Sequence, residues 1–270
     1  MSRSGNIGIL GCGWLGLPLG AQLVNKGYTV KGSTTSEVKS GVLKASGIDP
    51  RLLTLQEKEI VGDLDEFLNE IETLVIAIPP GLRSDPDKNF TTQIGQIIPY
   101  LNTHKVAPVL FISSTSVFAN DHGTYDEHST PNPETESGKQ LATTERLLLE
   151  QLPVSTRILR LGGLIAADRH PVTRLSGRTE IPDGLAPVNL IHRQDAIRLI
   201  CKLIHDPGKE SIYHGVHPYH PSRMEYYRDV AKKMELPLPE FKSGADFKGK
   251  TIITTYTDKV TGFSYEVPLV

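Results

Sequence analysis

A short apolar strand followed at once by three glycines constrains the fold of this chain more than any other feature. The residues Asn6-Ile7-Gly8-Ile9-Leu10 form an apolar run, and Gly11-Cys12-Gly13-Trp14-Leu15-Gly16 follows it directly. An amphipathic helix is predicted from about Trp14 to Lys26, and Gly27 is placed to end it in a left-handed cap. A G-x-G-x-x-G turn between a strand and a helix is typical of a Rossmann βαβ unit.

Each glycine of this turn has its own physical role. Gly11 permits the tight bend, Gly13 leaves space for a pyrophosphate against the backbone, and Gly16 lets the helix pack closely on the strand. The free amides at the helix start, together with the helix dipole, then hold the phosphate charge. We therefore predict a dinucleotide site, with a merely structural glycine turn as the alternative. Its diphosphate-binding residues are predicted to be Gly11, Cys12, Gly13, Trp14, Leu15 and Gly16.

The end of the second strand indicates which dinucleotide is bound. A strand is predicted over Tyr28–Gly32, and Ser33-Thr34-Thr35-Ser36 follows it with no carboxylate before Glu37. A site for NAD places an acid there to bind the ribose hydroxyls. Ser33, Thr34 and Thr35, with Lys39 nearby, can instead accept the extra phosphate of NADP. NADP is therefore favoured over NAD, although Thr34 to Glu37 also matches a helix capping box that would occupy the same hydroxyls.

The rest of the chain alternates short apolar runs with helical patterns, which predicts an α/β fold with a Rossmann-type doubly wound parallel sheet. The last part alternates less regularly, which predicts a small C-terminal lobe. Ligands bind at the carboxyl ends of the strands in such sheets, so Ile78, Pro79, Pro80, Ser113 and Gly162 are predicted to line the cofactor site. The further predicted strands are Leu52–Leu55 (weaker), Thr73–Ile78, Val109–Ser114 and Thr156–Leu161; helices are predicted around Ile94–Leu101, kinked at Pro99, and over Gly138–Gln151.

Composition and charge exclude several classes of function. The 270 residues carry a net charge of −2, so no basic excess is available to neutralise nucleic-acid phosphates. No stretch approaches the roughly 20 apolar residues of a membrane span. Residues 1–5 lead directly into the first strand, so we expect no signal peptide and a cytoplasmic protein. Neither nucleic acid nor membrane is therefore predicted as a partner.

The cysteines and histidines predict no metal site. Cys12 and Cys201 lie far apart in the chain and form no ligand pattern. His214, His217 and His220 recur every three residues, but Pro218 and Pro221 interrupt any helix that would gather them on one face.

Several later segments resemble one known family, the extended short-chain dehydrogenases/reductases. This group contains NAD-dependent epimerases and dehydratases that act mainly on nucleotide-linked sugars. The segment from Phe111 to Phe118, with Asp126-Glu127, Pro131 and Pro133, is similar to the central stretch of the family. The segments Leu159–Ile165 with Arg169-His170-Pro171, Asn189–Ala196 and Thr261–Tyr265 are similar to its later stretches.

The resemblance implies a division of the chain and a class of ligand. It implies an NAD(P)-binding domain over residues 1–161, to which 189–215 return, and a small substrate lobe formed by 162–188 and 216–270. It implies an oxidoreductase or epimerase acting on a small molecule such as a nucleotide sugar, and it allows a homodimer.

One departure from the family concerns its catalytic residues. The family's chemistry needs a Tyr, with a Lys four residues later that lowers the pKa of the phenol, and a Ser at the preceding strand end. Ser114 occupies the Ser position. Aligning the next helix on Glu145 places Ser137 where Tyr is expected and Leu141 where Lys is expected. None of the nine tyrosines has a Lys four residues later. The usual pair is thus predicted to be absent.

Two classes of function remain open. Ser137 is a poor acid, since the pKa of an alcohol lies far above the ~10 of a phenol. Tyr125, and more remotely His122 or His192, could substitute, and Arg83 or Lys88 could meet an anionic substrate, although each is also explained as an ordinary loop or packing residue. The leading hypothesis is an enzyme of altered mechanism, with Ser114, Ser137 and Tyr125 as catalytic candidates. The alternative is a non-catalytic NADP-binding sensor, regulator or scaffold.

Overall fold

The structure is a computed structural model that describes residues 5–152, 156–206, 208–244, 246–259 and 262–269. Within these ranges the chain forms thirteen strands and ten α-helices, and residues Thr115–Val117 form a 3₁₀ turn. The strands are β1 (Asn6–Leu10), β2 (Thr29–Thr34), β3 (Asp49–Leu52), β4 (Thr54–Leu55), β5 (Ile60–Val61), β6 (Thr73–Ile76), β7 (Val109–Ser114), β8 (Asp121–Tyr125), β9 (Thr156–Leu161), β10 (Gly163–Ile165), β11 (Leu190–His192), β12 (Ile212–Gly215) and β13 (Gly249–Ile252). The helices are α1 (Gly16–Asn25), α2 (Glu37–Ala45), α3 (Leu64–Leu68), α4 (Phe90–Gly95), α5 (Ile98–His104), α6 (Glu136–Gln151), α7 (Val172–Leu175), α8 (Arg193–His205), α9 (Arg223–Lys233) and α10 (Tyr256–Lys259).

Seven parallel strands form the central sheet in the order β12-β9-β7-β6-β1-β2-β3. Alternate residues of the inner strands enter two separate cores, because successive side chains of a strand point to opposite faces. Leu74 and Ile76 of β6 join the core that contains α4 and α6, whereas Val75 joins the core that contains α1 and α8. The predicted doubly wound α/β fold is confirmed.

Several predicted boundaries shift by one or two residues; the end of β2, for example, is Thr34 rather than Gly32. Two differences are larger. The third strand of the sheet is Asp49–Leu52, which pairs in parallel with Lys31–Thr34, and the chain after it turns into an antiparallel hairpin of β4 and β5. The predicted kinked helix is instead two helices. Pro99 lies in the first turn of α5, where the missing amide proton of proline costs no hydrogen bond.

The glycine that follows α1 adopts the expected conformation. Gly27 has a φ of +92°, so the predicted left-handed cap is confirmed.

A smaller hydrophobic cluster forms outside the central sheet. It includes Val172, Val188, Tyr226 and Ala231, and it lies beneath the pair of β10 and β11 with α7 and α9. The Tyr226 hydroxyl donates to the Leu269 carbonyl at 3.0 Å, which holds the end of the chain on this cluster. The exact limits of a substrate lobe stay a prediction. None of the described helices has the length and apolar character that a membrane span requires.

Candidate dinucleotide and substrate site

The glycine turn after β1 has the geometry that a phosphate-binding turn needs. Gly11 has a φ of +100°, and a Cβ added there would lie 3.0 Å from the Ala77 carbonyl oxygen at the end of β6. A Cβ on Gly16 would lie 2.3 Å from the Gly11 carbonyl oxygen, so α1 packs directly on the turn. A Cβ on Gly13 would meet no atom of the described residues within 4 Å. Gly13 therefore presents bare backbone to open space.

The end of β2 holds this turn in place. The Ser33 hydroxyl accepts a hydrogen bond from the Gly11 amide at 2.8 Å, and the Cys12 amide donates to the Ser33 carbonyl at 2.9 Å. The ladder of α1 begins with the Leu17 amide donating to the Gly13 carbonyl, so the amides of Trp14 and Leu15 lie ahead of it, as amides at a helix start do. Burial raises the pKa of the Cys12 thiol to about 12, so this side chain is a neutral packing group.

Two cavities meet at the glycine turn. The first, here called the strand-end cavity, has a volume of about 340 Å³ and lies over the carboxyl ends of β7 and β9. The second, the β2-side cavity, has a volume of about 240 Å³ and lies beside the end of β2. Both are bordered by Gly11, Gly13, Ala77, Ile78 and Pro79, so the two cavities adjoin at the turn and are together called the cleft.

The structure brings the predicted cofactor residues together in this cleft. Gly16 is the exception, because it packs against Gly11 behind the turn. The strand-end cavity is lined by Gly11, Gly13, Trp14, Leu15, Ile78, Pro79, Pro80, Ser113 and Gly162, and the β2-side cavity by Gly11, Cys12, Gly13, Ser33, Thr34, Thr35, Ile78 and Pro79. Their role in binding a cofactor stays a prediction at this point.

The capping box considered for residues 34–37 does not form. The N-cap of α2 is Ser36, which makes no side-chain cap hydrogen bond, and the Thr34 hydroxyl accepts from the Ser36 amide at 3.3 Å. The exposed side chains of Thr35 and Lys39 line the β2-side cavity together with Lys88. No Asp or Glu is among the described residues that line this cavity.

The two serines at the end of β7 form hydrogen bonds in opposite directions. The Ser114 hydroxyl accepts from the Ser116 amide at 3.1 Å, whereas the Ser113 hydroxyl donates to the Glu145 carboxylate at 2.5 Å. Among the described residues, no acceptor takes the hydroxyl proton of Ser114, so this proton remains available to a ligand. The Ser113 hydroxyl has already donated its proton, but its oxygen can still accept a hydrogen bond. Both side chains line the strand-end cavity, so they offer one donor and one acceptor to a ligand.

A buried ion pair fixes the orientation of Ser113. Arg160 donates from Nη2 to the Glu145 carboxylate at 2.7 Å and from Nε at 3.1 Å, and both side chains are at most 3% exposed. The guanidinium also lies 5.1 Å from the centre of the Phe118 ring. The sequence interpretation missed this pair. The signal in the sequence is Arg160, a cation inside the apolar strand Thr156–Leu161. A buried charge needs a partner, so this residue predicts a buried carboxylate nearby.

Helix α6 presents a hydrocarbon side chain where the family places its lysine. Leu141 is buried and lines the strand-end cavity. Ser137, one turn earlier, is half-buried and is not among the residues that line the cavity. A Cβ on Gly138 would lie 2.3 Å from the Ser116 carbonyl oxygen, so the start of α6 packs tightly on the 3₁₀ turn after Ser114.

The substitute acids considered from the sequence lie outside the residues that line the strand-end cavity. The Tyr125 hydroxyl donates to the Asp121 carboxylate at 2.7 Å and accepts from the Asn132 amide at 2.9 Å. His122 packs edgewise on Phe247, and His192 caps α8 by accepting from the Gln194 amide. The catalytic role expected for Tyr125 therefore has no support from its position.

The three regularly spaced histidines are held separately. His214 is buried in β12, where its Nδ1 lies 3.0 Å from the Ile253 carbonyl and its Nε2 has no partner among the described residues. Burial lowers the pKa of His214 from near 6.5 to about 4. His220 bonds to the Val188 carbonyl. Within the described ranges no group of three or more His, Cys, Asp or Glu is arranged to hold a metal ion.

Comparison with solved structures identifies the class of fold. The UDP-glucuronic acid 4-epimerase from Bacillus cereus, in complex with UDP-glucuronic acid and NAD, superposes with a TM-score of 0.80 at 18% identity, covering 98% of this chain and 95% of that one. The UDP-glucose 4-epimerase from Thermotoga maritima, with UDP-glucose, gives a TM-score of 0.79 at 14% identity, covering 98% and 94%. The chain thus has the fold of the extended short-chain dehydrogenases/reductases.

Sequence comparison identifies the particular family. No family model matches the chain. Protein YeeZ of Escherichia coli strain K12 is 36% identical over 266 residues, which cover 97% of this chain and 96% of that protein. Protein YeeZ of E. coli O157:H7 matches to the same extent. The chain belongs to the YeeZ family.

Proposed function

We propose that the cleft binds NADP(H) and that the protein is an oxidoreductase or epimerase acting on a nucleotide sugar or a similar polar metabolite. The bare backbone of Gly13 at the border of two adjoining cavities carries this proposal. A diphosphate would lie against this backbone, and each cavity would hold one half of the dinucleotide. The nicotinamide half fits the strand-end cavity, and the adenosine half fits the β2-side cavity. The bound nicotinamide would supply hydride transfer.

The β2-side cavity supports NADP over NAD. Thr35, Lys39 and Lys88 line it, and the described residues around the cavity include no carboxylate that would repel a 2′-phosphate. Two ammonium groups beside a phosphate form charge-assisted hydrogen bonds. An NAD site would instead need an acid for the ribose hydroxyls.

The two serines support chemistry at a hydroxyl or carbonyl group. Ser114 can donate a hydrogen bond to the oxygen of the substrate, while Ser113, oriented by Glu145, can accept one. Leu141 supplies no charge to the cavity. Ser137 is not required for this proposal.

Direct titration tests the cofactor assignment. Trp14 is the only tryptophan and lies in the turn, so its emission reports on binding at this site. We expect NADPH to bind at least about tenfold more tightly than NADH, since losing one charge-assisted contact costs about 1.5–3 kcal/mol. Lys39→Ala should narrow that ratio without weakening NADH binding. Failure of both nucleotides to bind below about millimolar would contradict the proposal.

A second candidate function is an NADP-binding sensor or regulator without turnover. The hydrocarbon side chain of Leu141 in the cavity favours it, because this position offers no cation to lower the pKa of an acid. A panel of nucleotide sugars separates the two candidates. An enzyme changes the nicotinamide absorbance or isomerises one of them, and Ser114→Ala slows it. A sensor binds NADPH tightly and transforms none.

The assembly and the location of the protein belong to the same proposal. A homodimer is consistent with the family resemblance, and light scattering on the purified protein tests it. A cytoplasmic location stays a prediction.

A further inference from the structure

A tight turn after β10 carries two charged residues to the mouth of the strand-end cavity. Ala166 and Arg169 exchange both backbone hydrogen bonds, at 3.1 and 3.0 Å. This reversal fixes the directions in which Asp168 and Arg169 leave the backbone. The side chain of Arg169 is exposed and lines the cavity.

Two guanidinium groups lie over the indole of Trp14. The Cζ atom of Arg169 is 4.9 Å from the ring centre, and that of Arg193 is 4.4 Å from it. Both distances are within the range of cation–π attraction. The Trp14 indole nitrogen donates to the Asp168 carboxylate at 2.9 Å, which fixes the ring in this position.

The two cations differ in their partners. Arg193 donates to the Asp168 carboxylate at 3.1 Å, so its charge is compensated. Arg169 forms no ion pair with any described carboxylate, and its guanidinium lies over the aromatic ring. The cluster thus has two cations and one carboxylate, which leaves one positive charge at the mouth of the cavity.

The apolar walls of the cavity let the charge of Arg169 select for anionic ligands. Apart from Ser113 and Ser114, the side chains that line it in the described part of the chain are apolar or aromatic, and Arg169 is the one that ionises. Apolar walls strengthen a Coulombic interaction. A guanidinium that lies over an indole ring, with no carboxylate partner among the described residues, keeps N–H donors for an oxyanion.

We propose that Arg169 is a specificity-determining residue that binds an oxyanion of the substrate, either a carboxylate or a phosphate group. It would hold that group at the cavity mouth while the reacting oxygen lies against Ser114. This inference rests on the proposed function, because it assumes that the dinucleotide occupies the rest of the cleft. It narrows the substrates to polar metabolites with an anionic group near the reacting carbon.

Calorimetric titration of the full-length protein, saturated with NADPH, tests the proposal. The probes are inorganic pyrophosphate and glucuronate as anions and glucose as the neutral match. We expect the anions to bind and to change the Trp14 emission, and glucose to do neither. Arg169→Gln should weaken anion binding about ten- to a hundredfold, as expected for a lost charge-assisted pair, and Arg169→Lys by less. Arg146→Gln, on the exposed side of α6, removes the same charge elsewhere and should bind like the unmodified protein.

Three results would overturn the proposal. In the first, neither anion binds the unmodified protein. In the second, Arg169→Gln binds the anions as tightly as the unmodified protein. In the third, Arg169→Gln weakens NADPH itself about tenfold and leaves probe binding intact, which would assign the oxyanion to the cofactor diphosphate. NADPH is titrated first, without any probe, so that a failure of cofactor binding is seen separately. If NADPH does not bind, glucuronate is titrated onto the protein without cofactor.

Discussion

At the scale of single residues, the cleft depends on missing side chains. Gly11, Gly13 and Gly16 are alike in sequence but meet different surroundings: the end of β6, open space, and the carbonyl of the turn itself. A side chain at Gly16 would collide with backbone that cannot move away, whereas a side chain at Gly13 would meet nothing. Folding and ligand binding therefore place separate demands on the same motif.

Gly13→Val should abolish dinucleotide binding and leave the fold intact. The added side chain enters the open space that a diphosphate needs, and no protein atom lies within 4 Å of its Cβ. We expect at least about a hundredfold loss of NADPH affinity, with a change in the free energy of unfolding of at most about 1 kcal/mol. Fluorescence titration and denaturant unfolding measure the two quantities. Gly16→Ala is the matched contrast, since its Cβ overlaps the Gly11 carbonyl at 2.3 Å and should destabilise the fold. Retained NADPH affinity in Gly13→Val would contradict the assignment.

The buried neutral imidazole of His214 predicts a loss of stability in mild acid. Its pKa is lowered to about 4 in the folded chain, so the unfolded chain takes up the proton first as the pH falls below 6.5. The stability that this residue contributes is complete above pH 6.5 and is lost progressively toward pH 4. Between pH 6.5 and 5 we expect a decrease of about 1.5 kcal/mol in the free energy of unfolding.

Replacing His214 separates this effect from the titration of carboxylates. Denaturant unfolding at several pH values is compared between the protein and His214→Leu, and only the difference between the two is attributed to the imidazole. An identical pH dependence in both proteins would show that His214 does not contribute.

At the scale of elements, the close approach of α6 to the turn after β7 determines where the two serines lie. Gly138 permits this approach, because the Ser116 carbonyl occupies the space of its missing side chain. The N-cap of α6 is Thr135, whose hydroxyl accepts from the Gly138 amide at 3.1 Å. A shift of this helix would move Leu141 out of the cavity.

Gly138→Ala should destabilise the protein although alanine favours helices. Its Cβ would lie 2.3 Å from a backbone carbonyl, and relieving such an overlap costs about 1–3 kcal/mol. Gly41→Ala is the matched control, because Gly41 lies in α2 with no atom within 4 Å of the added Cβ. That variant should gain up to about 1 kcal/mol from helix propensity. Urea unfolding of both variants gives the comparison, and equal stabilities would contradict the packing argument.

The sequence predicts the elements better than the contacts between them. The limits of β1, β7 and β9 follow from their apolar runs, since a strand buried on both faces has a continuous signal. The junction around Pro99 and the start of β3 carry weaker signals and were misplaced. Contacts such as that of Trp14 with Asp168 join residues 154 positions apart, and no local pattern specifies them. The sequence marks Arg169 only as part of a segment that resembles the family, because no local pattern indicates its contact with Trp14.

At the scale of the whole molecule, two buried carboxylates attach late segments of the chain to earlier ones. Glu127 accepts from the amides of His214 and Thr255, which hold β12 and the chain before α10. Asp195 accepts from the Glu266 and Val267 amides at 3.2 and 3.0 Å. The segment 262–269 is thus fixed to the start of α8 by a side chain with no exposed surface.

Asp195→Ala should loosen the C-terminal segment. The variant removes an acceptor for two backbone amides and leaves the exposed carboxylate of Glu266 as the remaining described ion-pair partner of Arg198. We expect a loss of about 2–4 kcal/mol in the free energy of unfolding and faster hydrogen exchange at the amides of Glu266 and Val267. Asp195→Asn keeps one oxygen acceptor, so its free energy of unfolding should lie between those of the unmodified protein and Asp195→Ala. Unchanged exchange at both amides in Asp195→Ala would show that the segment is held by other contacts.

The contact between Gly11 and the end of β6 also has a consequence in time. About sixty residues separate the glycine turn from Ala77, and a ribosome adding roughly 5–20 residues per second needs several seconds to synthesise them. The strand that supports the turn from the other side is therefore made well after the turn itself, and Gly162 of the opposite cavity wall is made later still. During synthesis the growing chain carries the glycine motif without the walls of its cleft. The cofactor proposed for this cleft would therefore bind only in the second half of the protein's synthesis.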